Sequence, residues 1–519
     1  MTSPDLDPMP PRRLTAGRRR LAVGALIVAV GLVGIAILAT APARPGPTPS
    51  PNQTSGAPTG SAASPTESVP TYTPEPTPTV DPGSVTAFPT AQGYGRNSPG
   101  GRGGRVIYVT SLDNDGPGTL RAALRTKGPR VILFQVAGTI RLRSNIDVTE
   151  PFVTLAGQSA PGEGVQIRGA MLRVMTSDVV IRYMRFRPGD EDGRENPADV
   201  DGITIHGVNG RVHDVLIDHS TMLWGPDIGG IAMLGDVRDV TVQESIIGEG
   251  LYQSRHPEGI AGSGHSMASN VTQLEKDLPY GRRITFVRNL FTTSNERIPR
   301  FQGTGCADVI NNVIYDWGER AGHGNPRSLN MVGNLFRAGP DIVARRFWIA
   351  QHSDVAPTLF PRAVWLSGNV ADGFEIGGIA GDSTVFTNKP VCEPSVEAVD
   401  ARSILEPILE TVGASLPVRD PVDRRIVSNV VERRGGFRNG EGRPAPNPDW
   451  PELANGPPAD DIDADGMPDS WEMEKFASLD RGNADDSSSD ADGDGWTDLE
   501  EWLDETDPNQ PDQAVQPPG

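Results

Sequence analysis

The chain has 519 residues, with 67 acidic against 47 basic positions, a net charge of −20, 60 glycines, and only 14 Phe, 8 Trp and 7 Tyr. That length exceeds one ordinary domain, and so many glycines with so few aromatics point to turns rather than a helical bundle. Of the acidic residues 21 fall in 451–519, and a chain this short of basic surface excludes a nucleic-acid polymer as partner, because such sites displace counterions with clustered cations.

Residues 1–20 form a basic, cytoplasmic head that ends on Arg18, Arg19 and Arg20. The uncharged run 21–41 that follows is long enough to cross a hydrocarbon core, and its basic flank favours the cytoplasmic side. Ala41-Pro42-Ala43 resembles a small-residue cleavage site, so a transmembrane anchor and a cleavable signal peptide both stay open. Either one exports the rest of the chain, secreted or anchored to the membrane facing outward. Residues 44–85 are Pro, Thr and Ser with almost no large apolar side chains, the composition of a disordered linker.

From 86 to about 440, short apolar runs recur between turn residues, among them Val153–Leu155, Val179–Ile181, Val215–Ile217, Val240–Val242 and Ile284–Val287. Ser220, Ser245, Asn289, Asn312, Asn334 and Asn369 each follow such a run, at spacings of 25, 44, 23, 22 and 35 residues. A period of 22–25 built from strands marks a solenoid, and the LxxLxL frame of a leucine-rich repeat is missing. The expected fold is all-β, a single-stranded right-handed parallel β-helix. Asn289, Asn312 and Asn334 should stack on successive coils, each bonding to its counterpart at a tight turn. Gly116–Leu124 reads as a turn and a short helix capping the open end. The stretch 400–435 should pack along the outside. Cys306 and Cys392 are compatible with a disulfide outside the cytoplasm, and equally with two separate thiols.

The acidic end carries two twelve-residue frames. One runs Asp461, Asp463, Asp465, Gly466, Asp469, Glu472, and the other Asp490, Asp492, Asp494, Gly495, Asp498, Glu501. Carboxylates at positions 1, 3, 5, 9 and 12 with glycine at 6 are the EF-hand-like calcium-loop pattern. Paired calcium-binding loops are therefore expected over 460–505, ordered only when calcium is bound. The plain alternative is a solvated acidic end.

Several stretches carry a family likeness. They are Phe88–Gly95, Gly100–Gly104, Val109–Leu112, Asp199-Val200-Asp201-Gly202-Ile203, Val215–Ser220, Asn295–Phe301 and Asn311–Tyr315. In this order the body resembles the pectate lyases of polysaccharide lyase family 1, with the pectin-lyase-like fold. The acidic end looks like a calcium-loop segment appended to that group.

The resemblance implies calcium-dependent β-elimination on polygalacturonate, or a related uronate polysaccharide, by a monomer. Arg297 matches the base, in the frame Arg-x-Pro, and Arg300 a clamp on the substrate carboxylate. Asp199 and Asp201 match paired calcium ligands, which on a strand would share one face, and Asp227 is a third. A further carboxylate expected near Ile228–Ile231 is absent. Arg255 and His256 fall where substrate-binding basic residues are placed, whereas Asp218 and His219 are expected to stabilise turns. Two other classes stay open, a polysaccharide hydrolase on the same solenoid and a non-catalytic β-helix that binds glycan or a protein partner.

Overall fold

The computed structural model describes residues 85–191, 197–261, 264–272, 283–303, 305–341, 346–348, 362–373, 377–380, 385–479 and 487–515. The basic head, the apolar run 21–41 and linker residues 44–84 lie outside them. Among the described residues no helix is long and apolar enough to cross a membrane.

Each circuit of the chain visits three sheets in turn. Val215–Asp218, Thr221–Leu223 and Ile228–Val237 make one coil, and Val240–Gln243, Ile246–Gly248 and Met267–Thr272 make the next. Equivalent strands pair in parallel between coils, building sheets of eleven, nine and seven strands among the described residues. This is a parallel β-helix.

The apolar runs fill its interior because side chains alternate along a strand. Val215, Val240, Ile284, Ala307, Leu329 and Val364 stack in register, and all six are buried in one continuous core. The helix Leu120–Leu124 is capped by Thr119 and tucks Leu120, Ala123 and Leu124 into that core beside the first coil.

The register residues form an unbroken buried ladder. The backbone N–H of Ser220 donates to Ser245 Oγ (3.0 Å), and that of Ser245 to Asn289 Oδ1 (3.0 Å). The same bond runs from Asn289 to Asn312 (2.9 Å), Asn312 to Asn334 (2.9 Å) and Asn334 to Asn369 (3.0 Å). The amide NH2 of Asn312 also donates to Asn334 Oδ1 and to the Phe286 carbonyl. One oxygen per coil thus satisfies a backbone donor that the turn leaves over.

Residues 400–435 lie on the outside, as two helices, Leu405–Thr411 and Pro421–Glu432. Ile408, Val412, Val422, Ile426 and Val430 bury against the outward residues Leu223, Ile246, Leu290, Val313 and Leu335 of the nine-stranded sheet. A fully buried ion cluster fastens the second helix: Arg187 pairs with Asp420 and with Asp423 (2.7 Å). Cys306 and Cys392 form a disulfide, which ties the segment after the last strands to the eleven-stranded sheet.

Replacing Asn312 with Leu strands the Asn289 N–H and the Phe286 carbonyl in the interior, at a cost of about 3 kcal/mol. Asn312→Ser should cost less, because serine fills the equivalent place at Ser220 and Ser245. Urea unfolding of the two variants against wild type checks this ranking.

Candidate functional site

The seven-stranded sheet carries the residues singled out for chemistry. Its strands include Leu172–Val174, Ile203–Val212, Ile228–Val237, Met267–Thr272, Arg300–Gln302 and His323–Asn325. Ile203, Ile231 and Phe301 point into the core. The alternate positions Arg173, Thr204, Ala232, Asn270 and Arg300 stand in one register across the outer face.

The acidic side of this face is built from consecutive coils. Asp201 precedes Ile203–Val212 and is buried. Its Oδ1 accepts from the Ile228 N–H (3.1 Å) and its Oδ2 from Thr204 Oγ1. Asp227 lies one coil on, where its N–H donates to the Val200 carbonyl (3.1 Å). Burial first, then the charge of Asp227, push the Asp201 carboxyl up to about 8, with a smaller push from Asp199. Three carboxylates thus bear on one another. Strand alternation is not what brings Asp199 there: it ends a 3-10 turn, Pro197–Asp199, and is exposed, while the strand begins only at Ile203.

The basic side lies two coils beyond Asp227. The Arg297 carbonyl accepts from the Ser269 N–H (2.8 Å), and its backbone is left-handed at φ 63°, a sparsely populated region for a residue with a Cβ. The buried Nε of Arg297 has no hydrogen-bond partner among the described residues. Arg300, by contrast, is held, with NH1 donating to Asn270 Oδ1 (2.6 Å). Burial first, and then the charge of Arg297, bring Arg300 down to about 10, while Glu296 pulls the other way. Glu296 itself pairs with Arg320 (3.0 Å). Neither Arg297 nor Arg300 makes an ion pair among the described residues, so the face keeps positive charge for an incoming anion.

Between the two ends stand His265 and Glu258, which sequence reading missed, beside His256, which it named. His265 bonds Glu258 through Nδ1 (2.8 Å) and faces Asp227 through Nε2 (3.2 Å). His256 stacks on it at 3.7 Å between ring centroids. Burial, and then His265, hold His256 below the usual imidazole range. Arg255 is turned elsewhere, its Nε donating to the Asp190 carbonyl (2.7 Å). Asp218 and His219 belong to the eleven-stranded sheet. Burial alone would raise Asp218, but His219, Arg182 and Gln243 hold it down at about 2.

The two acidic frames fold alike. Gly466 N–H donates to Asp461, Ile462 to Asp469 and Met467 to Asp465; Gly495 to Asp490, Ala491 to Asp498 and Trp496 to Asp494 repeat the set. Gly466 and Gly495 sit at φ 103° and 102°, where a side chain is strained. Carboxylate oxygens of Asp461, Asp463, Asp465, Glu472, Asp492 and Glu501 are buried without a hydrogen-bond partner among the described residues. Asp498 is also buried and bonded within its loop. Such orphaned oxygens fit a cation taken by oxygen ligands.

The frames are docked on the β-helix. Met467, Leu499 and Leu503 bury against Val106, Val131, Leu133 and Ala156. Trp496 Nε1 donates to the Thr86 carbonyl (2.9 Å), Arg102 grips Glu500 (2.8 Å), and buried Arg182 pairs with both Asp218 and Asp504.

No protein-family model matches the chain. It is 30% identical over 439 residues to a probable pectate lyase C of Aspergillus flavus, covering 81% of this chain and 94% of that protein. Against a probable pectate lyase C of Aspergillus fumigatus it is 30% identical over 441 residues, covering 81% and 93%. Among solved structures it is similar to the major allergen from cedar pollen, with 20% identity, a TM-score of 0.44, and 62% and 92% of the two chains covered. A Bacillus pectate lyase in complex with trigalacturonate gives 18% identity, a TM-score of 0.43, and 62% and 98%.

Burial first, then neighbouring loop carboxylates, raise Glu472 to about 7 and Glu501 to about 9. The folded frames therefore bind more protons than the unfolded ones. With chelator present, their folding should be most stable below about pH 4.5 and weaken as pH rises toward about 9. Fluorescence of buried Trp496 across that range checks this, and folding that strengthens with pH contradicts it.

Proposed function

Because this chain belongs to the pectate lyase family and is a polysaccharide lyase, we propose that it cleaves polygalacturonate, or a related uronate polymer, by calcium-dependent β-elimination on the outer face of the seven-stranded sheet. One observation carries the reading. Consecutive coils place Asp201 and Asp227 at one end of that face, with Asp199 bearing on them, and Arg297 with Arg300 at the other.

Asp199, Asp201 and Asp227 form an all-oxygen donor set of the kind calcium takes, and Asp201, raised by crowding, gains from a cation beside it. Calcium supplies positive charge to the uronate carboxylate, which stabilises the anion that builds as the proton leaves. Arg300, fixed by Asn270, clamps a substrate carboxylate with its planar fork. His256 borders the same groove as a substrate-binding residue, while Arg255 is held away on Asp190.

Arg297 takes the proton from C5. The electron pair closes the C4–C5 double bond, the bond from C4 to the glycosidic oxygen breaks, and that oxygen takes a proton from solvent. A guanidinium is a poor base while protonated, so activity rises toward alkaline pH. The oxidising compartment implied by the Cys306–Cys392 disulfide supports an exported protein, reached through the 21–41 anchor or signal peptide.

The acidic frames hold two further calcium ions, through Asp461, Asp463, Asp465, Asp469 and Glu472 and through Asp490, Asp492, Asp494, Asp498 and Glu501. Their docking on the first coils supports a structural role for those ions.

Arg297→Lys keeps charge but moves the proton acceptor, so turnover should fall by at least ~10². Arg300→Lys should chiefly raise KM, and Asp201→Ala should raise the calcium concentration needed for activity. Kinetics of unsaturated-product formation over a matrix of pH and calcium tests all three. If R297K stays within about threefold of wild type under every condition, Arg297 is not the base. Separately, Asp490→Ala should remove one calcium equivalent in titration calorimetry while leaving the first frame filled.

A further inference from the structure

Asp227, His256 and His265 each bring a ligand atom within 4.8 Å of the others, outside the acidic frames. Glu258 Oε2 accepts from His265 Nδ1 at 2.8 Å, which places a proton on Nδ1 and directs Nε2 at Asp227. That nitrogen lies 3.2 Å from Asp227 Oδ1. In the neutral ring these two atoms are both acceptors, and a positive species belongs between them. A proton is the simplest filler, but a charged N–H···O bond is shorter, about 2.7–2.9 Å. Two ligands each about 2.1 Å from one ion lie roughly 3.0–3.4 Å apart at octahedral to tetrahedral angles, and the observed gap falls in that range.

A third donor is close. The His256 ring stacks on His265, and its Nδ1 takes the Glu258 N–H at a long 3.3 Å, a bond that an ion can replace. His265 is buried, with a side chain 2% exposed, so both of its ring nitrogens need partners, and an ion at Nε2 supplies one. The carboxylate of Glu258 behind His265 repeats the arrangement by which proteins orient a ligating imidazole.

We propose that Asp227, His256 and His265 hold one divalent transition-metal ion of the zinc or cobalt type, with Glu258 positioning His265. Imidazole nitrogen suits such ions and is a poor partner for calcium. The ion fastens His256 and the short helix Pro257–Ile260 that follows it, together with His265, to the Asp227 turn beside the groove. It also puts a fixed positive charge where the carboxylate near Ile228–Ile231 is absent. Only Asp227 is shared with the calcium reading.

The untagged full chain is stripped with chelator, given excess calcium to fill the oxygen sites, and titrated with cobalt(II). A visible absorption band saturating at one equivalent is expected. His265→Gln should abolish it without changing thermal unfolding in calcium, and Glu258→Gln should weaken affinity by about 10–100-fold. Wild type without a band, or H265Q with the same band and affinity, overturns the site. Should H265Q fail to fold, His256→Ala takes its place, with at least a tenfold loss expected and an unchanged affinity overturning the proposal. A missing band together with calcium-dependent elimination defeats this inference alone. A band in a chain that forms no unsaturated product defeats the lyase reading alone.

Discussion

A single repeated hydrogen bond sets the geometry of the molecule: a buried Ser or Asn oxygen takes the backbone N–H of its counterpart on the preceding coil. It recurs at one corner of the solenoid and forbids a slip of one residue. Such a slip would bury the outward polar positions and expose the inward Val and Ile stacks. Neighbouring coils are held at the inter-strand spacing of about 4.8 Å, and every other face of the solenoid inherits that spacing. The groove is a consequence. Asp201, Asp227, His265 and Arg297 come from separate coils, and their separations are rigid because the coils are.

Charge is arranged along that groove by the pairing of each neighbour. Glu296 is taken by Arg320, the Arg255 guanidinium rests on the Asp190 backbone carbonyl, and Arg300 is held by a neutral amide. Asp201 and Asp227 gather at one end, and the guanidinium groups of Arg297 and Arg300 at the other. In the proposed reading, an acidic sugar polymer with a bridging cation would meet both ends at once. Elsewhere the same residue types are neutralised in full. Arg187 is locked between Asp420 and Asp423, and Arg182 between Asp218 and Asp504. Those clusters hold the outer helix and the acidic end in place.

Repetition made the fold legible. Strand period, polar register and calcium frames are all short-range patterns, and a residue within one of them can be assigned without knowing its distant neighbours. The Ser/Asn ladder and the turn geometry of both frames were readable on that ground. Arg297, Arg300 and the three groove aspartates were reached through a family likeness, since their spacing alone carries no signal. His265 and Glu258 were out of reach. They enter on an insertion between two strands, and no periodic rule says which coil its tip meets. The docking of the acidic end was hidden for a related reason: Met467, Leu499 and Leu503 look like the apolar residues of any short helix until Val106 and Leu133 are seen beneath them. The Asp199–Asp201 pair shows the reverse error. Alternation was applied where the chain makes a turn, because the strand starts two residues later than the motif.

The central claim is that bond cleavage on this face is an elimination, driven by an arginine opposite a carboxylate-held cation. Mass spectrometry of the products from polygalacturonate, with calcium and with chelator, tests it most directly. Elimination gives two fragments whose masses sum to that of the intact chain, one bearing a 4,5 double bond, and chelator stops their formation. Fragments that together gain one water, or formation untouched by chelator, would contradict the account.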